Sequence, residues 1–198
     1  MSELLLRRRA MMLASTTPAP SEWDSVWEYT DGLPTTKGWI ETAPSSSSIV
    51  LVTDGYRIRG RSYKKDTVEI THGIIEAKFT VENASVTTKN NRASLRIGNA
   101  SNSVYVNFRN FNSLTHKILL NDGASADEGT EIGAFSFSEP YILRIEINGP
   151  SANVLINGIA VATNVNTSAM SSKGPLYFGN GYGNAGAIWE YVKYKNLN

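Results

Sequence analysis

The stretch Thr71-His-Gly-Ile-Ile-Glu-Ala-Lys-Phe-Thr-Val81 alternates apolar and polar residues along most of its length. In a β-strand, successive side chains point to opposite faces, so this alternation separates an apolar set from a polar set. The apolar set is Ile75, Ala77, Phe79 and Val81, and the polar set is Glu76, Lys78, Thr80 and Glu82. The segment therefore predicts a long strand with one face in a core and the other toward solvent.

Short apolar or alternating runs recur on both sides of this segment, separated by stretches rich in Gly, Asn, Ser and Thr. Few windows keep a helical period, so we predict an all-β fold, a two-sheet antiparallel β-sandwich of the jelly-roll type. The predicted strands are Val26–Tyr29, Trp39–Glu41, Ile49–Val52, Tyr56–Ile58, Val68–Ile70, Gly73–Val81, Ala93–Ile97, Val104–Phe108, Lys117–Leu120, Ala134–Phe137, Tyr141–Ile147, Val154–Ile156, Ile159–Ala162, Leu176–Gly179 and Ala187–Tyr194.

The dipeptide Asn157-Gly158 lies between two apolar runs. Both residues tolerate a positive φ, which the tight two-residue turn of a β-hairpin requires. With the turn that begins at Asn148, it predicts a three-stranded antiparallel meander over Tyr141–Ala162. The residues predicted to face the core are Tyr141, Leu143, Ile145, Ile147, Val154, Ile156, Ile159 and Val161.

Charge and composition narrow the functional classes. The net charge is +1, and residues 1–20 carry a local charge of +2, so the rest of the chain is nearly neutral. A dedicated nucleic-acid binder carries a basic face, which argues against that class. The absence of cysteine excludes disulfides, thiolate nucleophiles and cysteine-bound metals.

Residues 1–20 are predicted to form an N-terminal arm and a Pro-containing linker, and residues 21–198 a single domain. The arm places three arginines, Arg7–Arg9, between two short apolar blocks. This order does not match a signal peptide, and neither block approaches the ~20 residues of a membrane span. A disordered tail fits the pattern, and so does an arm that docks into a protein assembly through residues 1–14. Such starts are similar to those of some bacteriophage and prophage structural proteins, which suggests a virion or cell-surface location.

Four elements in order resemble the concanavalin A-like lectin and glucanase superfamily, which includes laminin G-like domains. They are the early tryptophans Trp27 and Trp39 around Asp31-Gly32, the strand Gly73–Val81, the hairpin Val154–Val161 and the last strand Trp189–Tyr194. Together they cover Ser21–Asn198. The resemblance implies a concanavalin A-like jelly roll, and a fold alone does not establish an activity.

Glucanases of this superfamily, the family-16 glycoside hydrolases, carry the pattern E-x-D-x-x-E one or two strands after the counterpart of Gly73–Val81. Sugar cleavage requires two carboxyl groups, about 5–5.5 Å apart in retaining enzymes. The corresponding region, Ala93–Arg109, contains neither Asp nor Glu. The acidic stretch Glu22–Glu28 has a different spacing and lies at the other end of the domain, so we interpret it as a solvated first strand. No catalytic residues are therefore predicted.

Sugar binding draws on flat aromatic rings and on Asn, Asp, Arg or Gln side chains that reach hydroxyl groups. Alternation on the strand Val104–Phe108 puts Tyr105, Asn107 and Arg109 on its non-core face. The glycine-rich loop near the C-terminus offers a second group of candidates. The candidates outside the first strand are Asn180, Tyr182, Asn184 and Trp189, the last with core packing as its alternative.

No cofactor is predicted, and calcium remains open. Asp122, Asp127, Glu128 and Glu131 cluster in one acidic segment, and carboxylate oxygens are ligands for calcium. Their spacing does not fit an EF-hand. Laminin G-like relatives bind calcium through loop carboxylates, while a solvated loop explains the cluster equally simply.

Three functional hypotheses follow from the sequence. The first is a non-catalytic carbohydrate-binding or adhesion module with a glycan as its ligand. The second is a glycoside hydrolase or polysaccharide lyase with displaced catalytic residues, Glu76 or Glu22 among them. The third is a purely structural protein that decorates a virion or a cell surface.

Overall fold

The computed structural model describes residues 23–42, 48–68, 70–83, 90–99, 102–111, 115–121, 129–168, 175–179 and 186–197. These residues contain fifteen strands and two short 3-10 helices, Tyr29–Asp31 and Pro34–Lys37. The strands are β1 Ser25–Glu28, β2 Ile40–Thr42, β3 Ser48–Val52, β4 Gly55–Arg59, β5 Ser62–Lys65, β6 His72–Val81, β7 Asn90–Asn99, β8 Asn102–Asn110, β9 His116–Asn121, β10 Thr130–Ala134, β11 Pro140–Asn148, β12 Ser151–Ile156, β13 Ile159–Asn166, β14 Leu176–Gly179 and β15 Gly186–Asn196.

The strands form two antiparallel sheets. Sheet one has the order β13-β12-β11-β6-β15-β4-β3, with β1 paired to β15. Sheet two has the order β10-β9-β8-β7-β14-β5-β2. The inner faces of both sheets supply one continuous apolar core, so the predicted all-β sandwich is confirmed.

The segment that predicted the fold is β6, which lies inside sheet one between β11 and β15. Its four apolar residues Ile75, Ala77, Phe79 and Val81 are fully buried, as the alternation requires. Phe79 pairs with Tyr141 on one neighbouring strand and with Trp189 on the other. The strand therefore places three aromatic residues side by side on the inner face.

Aromatic contacts join the two sheets through the core. Phe178 of sheet two stacks on Trp27, with ring centroids 5.2 Å apart, and its centroid is 5.1 Å from that of Trp189. Trp189 in turn lies 4.6 Å from Phe79, which meets Phe108 of sheet two edge to face at 4.9 Å. Such pairs each contribute about 0.5–1.5 kcal/mol beyond the burial of their surface.

The predicted meander is confirmed as β11, β12 and β13. Asn157 and Gly158 form the turn with φ values of 50° and 80°. The side-chain Oδ1 of Asn157 also accepts a hydrogen bond from the backbone N–H of Ile142 at 2.8 Å. The prediction for Ile159 is wrong: it lies next to the turn on β13, the last strand of sheet one among the described residues, where few neighbouring side chains cover it, and it is 70% exposed.

Two of the predicted strands do not coincide with strands of the structure. Val68 and Ile70 are buried, but they follow β5 and belong to no strand; β5 itself was missed because Tyr63 is its only buried apolar residue. The strand predicted over 134–137 ends at Ala134, and Phe135 fills the core beyond it. In both places the pattern marks a buried apolar side chain that lies beyond the end of a strand.

The arm and linker, residues 1–20, lie outside the described residues. None of the described segments forms a helix with the length and hydropathy needed to cross a bilayer.

Alanine substitutions at two isoleucines test which positions face the core and which face solvent. Ile75→Ala removes a fully buried side chain and is expected to lower the free energy of unfolding by about 2–5 kcal/mol. Ile159→Ala is the matched control, because the same atoms are removed from a site that is 70% exposed. It is expected to stay within about 0.5 kcal/mol of the wild type. Urea unfolding measures both, and equal losses would contradict the assignment.

Candidate functional site

The outward face of sheet two carries a row of three side chains on adjacent strands. Antiparallel pairing sets Tyr177 of β14 opposite Arg96 of β7, and Arg96 opposite Tyr105 of β8. The neighbours of Arg96 along its strand, Leu95 and Ile97, are buried in the core. Because strand side chains alternate, Arg96 and its two partners point to the opposite face.

Arg96 lies between the two tyrosine rings. Its guanidinium carbon is 3.9 Å from the ring centroid of Tyr177 and 5.8 Å from that of Tyr105, both within the range of cation–π attraction. Its Nε is buried and has no hydrogen-bond partner among the residues that the structure describes. Among the described residues, no carboxylate pairs with Arg96. The aromatic rings, rather than an acidic partner, therefore hold this cation.

A cavity of about 170 Å³ opens at this row. The Oγ1 of Thr42 donates to the carbonyl of Ser62 at 3.1 Å, and the Oγ of Ser94 donates to the carbonyl of Gly179 at 3.0 Å. Both hydroxyl oxygens keep lone pairs that accept hydrogen bonds. The cavity therefore combines aromatic surface, one cation and several hydroxyl groups. Its lining residues are Thr42, Ser62, Ser94, Arg96, Tyr105 and Tyr177.

The sequence placed Tyr105, Asn107 and Arg109 on one outward face, and only Tyr105 lines the cavity. Asn107 is fully buried beside Ser94, and neither of its amide atoms has a hydrogen-bond partner in the described part of the chain. Arg109 is 8% exposed, and its guanidinium lies 5.6 Å from the ring of Phe111. Asn107 and Arg109 are therefore buried, whereas the alternation of the strand predicted that they would be accessible to a sugar.

Trp189 is a core residue, which corrects its place among the sugar-binding candidates. It has no exposed surface, because Phe79 and Phe178 pack against it between the sheets. A ligand on either outward face does not reach its ring. Of the two roles left open by the sequence, packing between the sheets is the one that it has.

Several predicted residues have no described position. The loop candidates Asn180, Tyr182 and Asn184 and the calcium candidates Asp122, Asp127 and Glu128 lie outside the described residues. Glu131 is described, and its carboxylate pairs with Lys117 at 2.6 Å. The described residues contain no cluster of three or more His, Asp or Glu side chains arranged to hold a metal ion.

Carboxylates are sparse on sheet two. Its seven strands hold Glu41 on β2 and Glu131 on β10, at opposite edges of the sheet. Six strand spacings separate these edges, or roughly 29 Å. Glu41 is moreover paired with Arg61 at 2.5 Å. The strands of this sheet therefore offer no two carboxyls at the separation that glycoside hydrolysis requires.

The outward face of sheet one is organised around Glu76. Its carboxylate accepts hydrogen bonds from Arg144 Nε and the Tyr191 hydroxyl, both at 2.8 Å, and pairs with Lys193 Nζ at 3.0 Å. Burial alone would raise the pKa of Glu76, but these donors outweigh it and the net pKa is lowered. A general acid must hold its proton near neutral pH, so Glu76 is unsuited to that role.

A second, larger cavity of about 480 Å³ lies beside Glu76. Its ionic groups already satisfy each other, since Arg144 binds Glu76 and also lies 3.7 Å from Glu146. Its other walls come from two aliphatic side chains and the Asn157 turn. Of these two cavities, only the smaller has an arginine beside aromatic rings and without an acidic partner among the described residues. The lining residues of the larger cavity are Glu76, Ile142, Arg144, Leu155, Asn157 and Gly158.

No protein-family model matches this sequence, and no curated protein matches it. Among solved structures, a carbohydrate esterase of the Shiga toxin-encoding bacteriophage phi24B is 12% identical, with a TM-score of 0.58 over 87% of this chain and 100% of that chain. Human galectin-16 is 16% identical, with a TM-score of 0.50 over 68% of this chain and 94% of that chain. A Trypanosoma rangeli sialidase in complex with sialic acid is 10% identical, with a TM-score of 0.53 over 80% of this chain. This chain spans only 28% of the sialidase's length, and these likenesses establish the β-sandwich fold alone.

The Glu76 cluster makes stability depend on pH. Glu76→Gln leaves Arg144 and Lys193 without their carboxylate and is expected to lower the free energy of unfolding at pH 7 by about 1–3 kcal/mol. A lowered pKa means that this contribution is complete above the ordinary value of 4.5 and is lost as pH falls through the lowered one. The difference between wild type and variant should therefore shrink in acid.

Urea unfolding between pH 3 and pH 8 measures this difference. Glu146→Gln is the matched control, because Glu146 lies on the same face with a side chain 37% exposed and 3.7 Å from Arg144. It is expected to change stability by less than about 0.5 kcal/mol. A Glu76→Gln effect that stays constant down to pH 3 would contradict the lowered pKa.

Proposed function

We propose that this protein is a carbohydrate-binding module, and that its glycan binds on the outward face of sheet two at the cavity between Tyr105 and Tyr177. The observation that carries the proposal is the row in which these rings flank Arg96 beside the hydroxyl groups of Ser62 and Ser94. Apolar walls with a few placed polar groups are the general chemistry of small-ligand sites. The cavity is smaller than the 300–1,000 Å³ typical of such sites, which suits one terminal sugar unit better than a long chain.

The proposal includes the absence of hydrolytic activity. Its support is the separation of Glu41 and Glu131 at opposite edges of sheet two, together with the lowered pKa of Glu76. An assay for reducing ends released from β-glucans and pectins is expected to show none. Release of reducing ends that is lost in Glu76→Gln would instead favour a hydrolase with displaced catalytic residues.

The names of the structural neighbours agree with a role in carbohydrate recognition, since they include a galectin, a sialidase and a carbohydrate esterase. We further propose that the chain is a divergent concanavalin A-like domain that serves adhesion. Residues 1–14 would then attach it to a virion or a surface assembly. One neighbour comes from a bacteriophage, which agrees with this context.

Deletion of residues 1–20 is expected to leave sugar binding unchanged and to abolish any protein assembly.

A glycan array followed by titration calorimetry tests the binding site. Tyr105→Ala and Tyr177→Ala each remove a ring from the cavity, so the best array ligand is expected to bind about tenfold more weakly, a loss of about 1.4 kcal/mol. Ile142→Ala is the control, because it trims the wall of the larger cavity on the other sheet. An array without hits would reject carbohydrate binding. Weaker binding in Ile142→Ala alone would move the site to sheet one.

A further inference from the structure

We propose that the sheet-two cavity selects an anionic sugar, in which a carboxylate or sulfate group binds Arg96. This inference rests on the proposed carbohydrate-binding function and specifies its ligand class. It begins from a cation that lines a cavity without an acidic partner among the described residues. A guanidinium presents planar N–H donors whose spacing matches the oxygens of a carboxylate or a sulfate.

The charged side chains next to the cavity form ion pairs with one another and not with Arg96. Glu41 pairs with Arg61 at 2.5 Å, and Lys64 pairs with Asp66 at 3.1 Å. These pairs lie on β2, β5 and the segments that adjoin them, next to the cavity residues Thr42 and Ser62. Arg96 is the one charged side chain among the described residues that line the cavity, and neither of these pairs includes it.

The rings also limit how Arg96 can move. Tyr177 covers the guanidinium at 3.9 Å, and Tyr105 approaches it from the neighbouring strand at 5.8 Å. A stacked guanidinium still offers the N–H groups at its edge, because stacking uses its flat face. Within the described part of the chain, the buried Nε of Arg96 has no hydrogen-bond partner, so this donor is unsatisfied there. Such preorganisation lowers the entropic penalty of binding an anion.

The hydroxyl groups around Arg96 favour an anionic sugar over a bare anion as the ligand. Ser94 lines the cavity from the same strand as Arg96, and Ser62 and Thr42 line it from β5 and β2 of the same sheet. Their oxygens can accept hydrogen bonds from sugar hydroxyls while Arg96 donates to the anionic group. A single uronic acid or sulfated sugar provides both kinds of group on one ring.

Matched sugars test this selectivity. Galacturonic acid and galactose differ only in a carboxylate in place of a hydroxymethyl group. Galactose 6-sulfate is the third ligand and carries a sulfate as its anionic group. In titrations of the full chain, at least one of the two anionic sugars is expected to bind about tenfold to a hundredfold more tightly than galactose. Its advantage should fall as salt is raised. The stronger arm identifies which anion the site prefers.

Variants assign the selectivity to Arg96. Arg96→Gln is expected to reduce the affinity for the preferred anionic sugar to that for galactose, and Arg96→Lys to keep part of the preference because it retains charge without the planar fork. Lys117→Gln is the control: it removes one positive charge from the outward face of the same sheet, where Lys117 pairs with Glu131 outside the cavity. Thermal unfolding verifies that each variant is folded. Chemical-shift changes at the backbone amides of Arg96 and Tyr177, measured while the sugar is titrated into the wild type, locate the binding site without any substitution.

The outcomes separate this inference from the function on which it rests. Equal binding of galactose and both anionic sugars, with loss in Tyr177→Ala, would overturn anion selectivity and leave carbohydrate binding intact. A preference that survives in Arg96→Gln would place the anion elsewhere and also overturn the inference. If no sugar binds to the wild type in any arm, and the glycan array is empty, both proposals fail.

Discussion

The contact between Phe178 and Trp189 across the middle of the sandwich is the interaction on which the rest of the structure depends. Phe178 belongs to a short strand of four residues, and its ring also meets Trp27, Trp39 and Tyr63. Fixing one inward side chain fixes the register of its strand, because a slip by one residue would exchange the inner and outer faces. Tyr177 is thereby turned outward beside Arg96. The geometry of the candidate site is a consequence of packing in the core.

The two outward faces of the sandwich differ in how their charged side chains are stabilised. On sheet one, Glu76 gathers donors from two neighbouring strands, so positive and negative groups neutralise each other close to the backbone. On sheet two, the central cation Arg96 is stabilised by the quadrupoles of aromatic rings, which attract a positive charge without cancelling it. A charge-balanced network favours stability and shape, whereas an uncancelled charge retains the capacity to bind. This difference in chemistry is the reason for proposing that the ligand binds on sheet two.

Much of this architecture could be predicted from sequence, because alternation and turn chemistry are local properties. The strand β6 and the turn at Asn157 are examples, since each is defined by residues that are close in sequence. The candidate site is not local: Arg96 and Tyr177 are far apart in sequence and meet only through the register of β7 and β14. A usable signal exists in each strand, because a single polar or amphipathic residue interrupts a run of core residues. Pairing those interruptions requires the sheet order, which the pattern does not contain.

The exposed turn at the edge of sheet one has a practical consequence. The chain contains no cysteine, and Ile159 lies directly after the turn with 70% of its surface accessible. A thiol introduced there would be unique, and it would belong to the sheet opposite the Arg96 row. A fluorophore, a bead or a biosensor chip coupled at that point would hold the molecule in one orientation and leave the row facing the solution.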